Sequence, residues 1–144
     1  MSAEPLLVHH LLDGPDAGDK PAVIDGERSL GFEGLRRRAR DHAAAFRRAG
    51  VLPGDRVAIL LPKCLEECCA IFGSSLADAV FVPINPLLKP IQVAHIVADA
   101  EARIVVTNRA LAPLLADARA ELPDLTVVLV EEIGETDGAL PRPT

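Results

Sequence analysis

The 144-residue sequence has no tryptophan, no tyrosine, one methionine and four phenylalanines, so its core is built on aliphatic packing and aromatic clusters are excluded as its frame. It also lacks an excess of basic charge. Fifteen Lys and Arg stand against twenty-one Asp and Glu, a formal charge of −6. Binding nucleic acid or an anionic membrane needs a net basic face to neutralise phosphates, so the balance argues against both partners. Cysteine is scarce and odd in number, and Cys64, Cys68 and Cys69 crowd into one segment, which suits a reducing cytosol better than a disulfide framework. Long hydrophobic runs are missing too. The most membrane-like window, Cys68 to Leu88, contains Gly73, Asp78, Asn85 and two prolines, which break a spanning helix where it should continue. Glu4 stands where a secretory signal is basic, and His9 and His10 interrupt the apolar run behind it. No export signal is visible, and a cytoplasmic location is expected.

What is present reads as one globular domain. Hydrophobic residues make up 49% of the chain and charged residues 25%. A chain of this length buries roughly two thirds of its unfolded surface, enough for a core. Residues 5–13 suggest a short amphipathic helix, and the DGPDAGDKP that follows is a loop. Two short apolar runs around Asp25-Gly26 predict a β-hairpin over Pro21–Leu30, since that pair readily takes the positive φ angles of a tight turn. From Phe32 to Ala49, Leu35, Ala39, His42, Phe46 and Ala49 recur at helical spacing, and Gly50 supplies a left-handed stop.

The run RVAILL after Asp55 is continuously apolar, as a parallel strand buried on both faces requires. Beyond it the pattern predicts helices over 64–77, 90–100 and 109–121 and strands over 79–83, 103–107 and 125–130. Alternation with helical crossovers implies an α/β fold with a mainly parallel sheet flanked by helices, preceded by the hairpin. The domain is expected to run over residues 1–130, and the tail EEIGETDGALPRPT, residues 131–144, reads as a linker. In VFVPINPLLKP, Pro83 removes a ladder donor and Pro86 forbids a regular continuation, so the strand should stop at Val82 or Pro83. Pro90 then suits the first turn of the next helix. Because ligands of open α/β sheets bind beyond the carboxyl ends of the strands, INPLLK is a candidate rim loop, although a rigid connection is the plainer reading, since three prolines already explain the shape.

No constellation carries chemistry by itself. Cys64 and Cys68 lie one helical turn apart, yet no fourth metal ligand is near, and they share an arc with Leu65, Ile71 and Phe72 while Glu66 and Glu67 point away. Small buried hydrophobes describe them better. His9, His10, His42 and His95 have no acidic or thiol partner at a recognisable spacing. Arg36, Arg37, Arg38, Arg40, Arg47 and Arg48 fall on one helix, most of them opposite Leu35 and Phe46, where a solvated face is the plainer reading than a binding stripe. No G-x-G-x-x-G and no P-loop follows any strand. Catalytic, cofactor-binding and metal-binding residues are therefore expected to be none.

Read in order, PAVIDGERSLGFEGLRRRA, AGVLPGDRVAILLPKCLE and AIFGSSLADAVFVPINPLLKPIQVAHIVADAEARIVVT resemble the amino-terminal region of AMP-forming acyl-CoA synthetases, in the acyl-adenylate-forming ligase superfamily. Within it, AIFG followed by VFVPINPLLKP looks more like acyl-CoA ligases than amino-acid adenylation domains. The resemblance implies the first subdomain of the ligase large domain. It also implies a reaction in which a carboxylate attacks the α-phosphate of ATP with Mg²⁺, giving acyl-AMP, after which the coenzyme A thiol displaces AMP. Such chemistry needs a Gly/Ser/Thr-rich loop with a Lys and metal-binding carboxylates, which in the family come later than Thr144. ATP, Mg²⁺ and coenzyme A are thus implied for a full-length relative and not for this chain, which is expected to be an inactive amino-terminal fragment. Its expected partners are the remainder of the large domain, with the carboxylic acid substrate belonging to the whole enzyme, and copies of itself. A stand-alone α/β interaction or regulatory module is the alternative. Three positions depart from the family pattern: Asp78 and Gly34 replace a glycine and an acidic residue, and Lys63-Cys64 replaces an Asn-Ser helix cap.

Overall fold

The computed structural model describes residues 7–13 and 20–133. Strands β1 (Pro21–Asp25) and β2 (Arg28–Gly31) pair antiparallel with Asp25 opposite Arg28. The turn is therefore Gly26-Glu27 rather than Asp25-Gly26, and Gly26 alone takes a positive φ, 61°. Glycine at the first central position allows the tight connection. Helix α1 (Phe32–Arg48) buries Leu35, Ala39, His42, Ala43 and Phe46 and closes on Gly50, whose φ is 97°. The Val51 and Gly50 N–H groups return to the Phe46 and Arg47 carbonyls at 3.1 and 3.0 Å. This double bond satisfies two end carbonyls of the helix.

Next come β3 (Arg56–Leu60), α2 (Leu65–Leu76), β4 (Val80–Ile84), α3 (Pro90–Asp99), β5 (Ala102–Thr107), α4 (Ala116–Glu121) and β6 (Thr126–Leu129). The four strands β3–β6 form one parallel sheet in the order β4-β3-β5-β6. β3 sits inside it with Val57 to Leu60 fully buried, which is why its sequence is apolar at consecutive positions. One face carries Val57, Ile59, Leu61, Ile104 and Val106 against Phe46 of α1 and Ala70 of α2. The other carries Ala58, Leu60 and Val105 against Val93 and Val97 of α3 and Leu115. A third cluster, with Leu12, Leu35, Ala39, Leu65 and Cys69 at its centre and Val23 and Leu30 packed on it, ties the hairpin to α1 and α2.

Several boundaries differ from the sequence reading for physical reasons. β4 runs through Pro83 to Ile84, because β4 is an edge strand on which a missing N–H leaves no ladder bond empty. It starts at Val80 because the Ala79 N–H is taken by the Ser74 carbonyl, 2.9 Å away, in the stop of α2. The helix expected over 109–121 begins as a 3-10 helix at Ala112–Leu115 and becomes α-helical only at Ala116, with Pro113 in its first turn. Residues Val8–Leu12 form a 3-10 helix only, since a segment bounded by Pro5 and Gly14-Pro15 is too short to offset helix nucleation. Residues 14–19 of the predicted loop and 134–144 of the predicted linker lie outside the described residues.

Candidate functional site

The chain leaves β3 for β4 on one side and then crosses to β5 on the other. The reversal sets the switch point between the carboxyl ends of β3 and β5, where open α/β sheets offer a crevice. Thr107, at the end of β5, is fully buried, and its hydroxyl donates to the Leu60 carbonyl at 2.7 Å, fastening the two strand ends together. Asn108 turns the chain away from β5 by accepting the Leu111 N–H on Oδ1 at 2.8 Å. The Arg109 N–H donates to the Glu131 carboxylate at 2.9 Å, and the Arg109 guanidinium lies 3.6 Å from Glu132. On the β3 side, Lys63 is exposed.

The INPLLK loop lies at the carboxyl edge as expected, but beside β4, one strand away from the switch point. Asn85 Oδ1 accepts the Leu87 N–H at 2.9 Å, and Gln92 Oε1 accepts the Lys89 N–H at 2.9 Å ahead of Pro90. The polar side chains of the rim are thus spent on shaping its own loops. Among the described residues, the exposed ammonium groups of Lys63 and Lys89 remain at this rim. Cys64, which precedes α2 at this edge, is half-buried, and burial pushes its thiol up, so it stays protonated and is no poised nucleophile.

A part-buried polar cluster lies elsewhere. Arg28 of β2 forms a fork with Glu66 of α2 at 2.6 and 2.9 Å and donates to Asp25 at 2.6 Å. Asp25 Oδ2 also accepts the Leu65 N–H at 3.1 Å. The hairpin therefore supplies the cap that Cys64, at the N-cap position of α2, does not. Arg28 and then the Leu65 N–H hold the Asp25 carboxyl below its usual range. Burial pushes Glu66 up, but the Arg28 hydrogen bond and charge outweigh it and the net shift is downward. Glu66 does not point away from the core side, as helical spacing alone suggested. Two ionised carboxylates saturated by one guanidinium make a brace rather than an acid–base pair.

The other sequence candidates are dispersed. Cys64 packs on the cluster around Ile59 and Cys68 on the cluster around Leu65, so the two thiols face different parts of the core. Burial pushes the Cys69 thiol up to about 12. Of the arginines of α1, Arg36 donates to the Leu12 carbonyl and pairs with Glu33, Arg47 donates to the Leu76 carbonyl, and Arg37 lies 3.8 Å from Glu33. Arg40 and Arg48 face solvent. His42 is buried, His95 is exposed, and His9 Nδ1 is hydrogen-bonded to the Ser75 hydroxyl at 2.8 Å, a contact no spacing announced. A cleft of about 420 Å³ opens at the opposite, amino edge of the sheet, lined by Asp55, Glu101, Arg103, Glu121, Asp124 and apolar residues of α3 and the α4–β6 turn. It is the wrong end of the strands for a parallel-sheet ligand site.

Comparison with known proteins gives the geometry its context. A family model described as "AMP-binding enzyme" matches residues 14–142. A 4-coumarate–CoA ligase of Pinus taeda is 33% identical over 116 residues, covering 79% of this chain and 21% of that protein. The crystal structure of the anthranilate CoA ligase AuaEII in complex with anthranoyl-AMP superposes with a TM-score of 0.78 at 26% identity, over 85% of this chain and 25% of that one. A benzoate CoA ligase from Burkholderia xenovorans LB400 gives 0.78 at 28% identity, over 89% and 28%. The chain thus spans about a fifth of the length of the pine relative.

Proposed function

The chain belongs to the AMP-binding enzyme family of adenylate-forming ligases, and from that premise we propose that it is the first α/β subdomain of an ATP-dependent, AMP-forming acyl-CoA ligase, a scaffold that is inactive alone. The observation that carries the reading is the coverage: the match runs over 79% of this chain but 21% of the coumarate ligase. In the proposed whole enzyme, a carboxylic acid, ATP with Mg²⁺ and coenzyme A are the reactants. Positioning ATP for attack needs a phosphate-cradling loop, a lysine and metal-binding carboxylates together. None of the 144 residues forms such a loop by its sequence pattern, and the Asn85 and Asn108 side chains at the rim of the sheet are engaged in their own turns. Its partner in this reading is the remainder of the ligase large domain, and its three free thiols suit a cytoplasmic setting.

The test is pyrophosphate release by the 144-residue chain with ATP, Mg²⁺ and a panel of fatty and aromatic acids. Background rates and no nucleotide binding by calorimetry are expected. Release above background would overturn the proposal of a catalytically silent scaffold.

A further inference from the structure

We propose that the contact between α1 and α2 is an acid-sensitive joint triggered by His42, whose protonation opens this helical layer while the α3–α4 layer stays closed. His42 is 2% exposed and sits at the tightest point of the helix crossing, where a Cβ on Gly73 would lie 2.5 Å from the His42 Cβ. Its Nδ1 is 2.8 Å from the Arg38 carbonyl. A carbonyl only accepts, so Nδ1 carries the ring proton and Nε2 holds a bare lone pair. Among the described residues, His42 Nε2 is the one buried side-chain nitrogen or oxygen without a hydrogen-bond partner. A proton added there has nothing to donate to and places a full charge in a dry helix contact.

The neighbouring groups do not relieve that charge. Arg38 on its own helix repels it, while Glu66 of α2 attracts it but is already forked to Arg28 of β2, which also holds Asp25 of β1. Cys69 of α2 is a buried thiol, and His9 of the 3-10 helix is engaged with Ser75. Burial, the largest effect, together with the Arg38 charge outweighs the Arg38 carbonyl hydrogen bond and the Glu66 charge, which raise it, and brings His42 down from 6.5 to about 4. The sign follows. An open layer binds the proton near the ordinary value and the closed layer resists it, so closure is fully favoured above about pH 6.5 and weakens as pH falls toward 4. The opposite face of the sheet buries Ala58, Leu60, Val93, Val97, Val105 and Leu115, none of which titrates, which is why the loss is confined to one layer.

Amide hydrogen exchange of the full chain, corrected for the intrinsic rate, tests this. Opening of α1 and α2 should rise roughly 20-fold between about pH 7 and about pH 5, with α3 and β5 changing far less. His42→Leu should abolish the rise, and His42→Asn, which retains a donor for the Arg38 carbonyl but does not titrate, should do the same. Should neither variant fold, the imidazole ¹⁵N shifts of the wild type decide between the outcomes. An ordinary titration midpoint in the closed protein would overturn the proposal, as would an equal rise in α3 and β5, or a rise that persists in a folded variant.

Discussion

Asp78 holds a backbone conformation that its side chain resists. Its φ is 59°, and its N–H and that of Ala79 return to the Ser75 and Ser74 carbonyls at 3.0 and 2.9 Å, the same closing pair that Gly50 completes on α1. A Cβ in the left-handed region costs energy that glycine avoids, and the exposed carboxylate stands at the negative end of α2. Asp78→Gly is therefore expected to stabilise the fold by roughly 0.5–1.5 kcal/mol after glycine's extra unfolded-state freedom is subtracted. A urea titration at neutral pH checks it, through a raised midpoint at unchanged m-value. Glu101, after α3, repeats the strain with φ 52°, but its carboxylate lies 3.5 Å from Arg56, so Glu101→Gly should gain less. The left-handed Asp78 was legible because a helix pattern ended one residue before it. Glu101 also follows the end of a helix pattern, at residue 100, but it was not legible, because only Asp78 stood where the resembled family carries glycine.

At the scale of elements, the brace between the hairpin and α2 decides how the amino-terminal layer is held. Helix α2 lacks a side-chain cap at Cys64 and receives one from Asp25, forty residues earlier, while Arg28 forks to Glu66. Arg28→Leu should cost roughly 1–3 kcal/mol, because it strips a charged partner from the largely buried Glu66 carboxylate and loosens Asp25. Both carboxyls are held below their ordinary values of 3.8 and 4.5, so their contribution is present above those values and is lost as pH falls below them. Denaturant midpoints of wild type and Arg28→Leu should therefore converge below about pH 4, a window lower than that of His42. Existence and order of the helices and strands were readable because the periodic segments are long and the apolar run of β3 is unbroken. The brace was not readable, since Asp25 was accounted for by the turn and Glu66 by its helical position, and only the register Asp25–Arg28 brings them together. The candidate rim was placed at the correct edge but not at the switch point, because strand order, which fixes that point, is a long-range property that local pattern does not encode.

For the molecule as a whole, the edge strand β4 is where the structure is least finished. Val80 at its start is 53% exposed, and Leu87 and Ile91 beyond its end are 89% and 67% exposed. Leu52, 64% exposed, lies in the turn whose Gly54 N–H bonds the Asp78 carbonyl, just ahead of the same strand. Large aliphatic side chains at both ends of a strand that, among the described residues, pairs on one side only make a surface that water solvates poorly, and its open edge offers N–H and C=O groups to another chain. Pro83 blunts the edge at one position, and no charged residue lies within Val80–Ile84 to do so elsewhere. In the proposed ligase such a surface is a natural contact for the rest of the large domain, so the 144-residue chain alone should self-associate. Light scattering over a range of concentrations should show a mass above the monomer, and Val80→Lys with Leu87→Lys should lower it, since a charge on each end opposes edge pairing. A monomer that persists at high concentration would contradict the scaffold reading and favour a stand-alone module, because a surface that stays solvated without a partner has no need of the missing part of the enzyme.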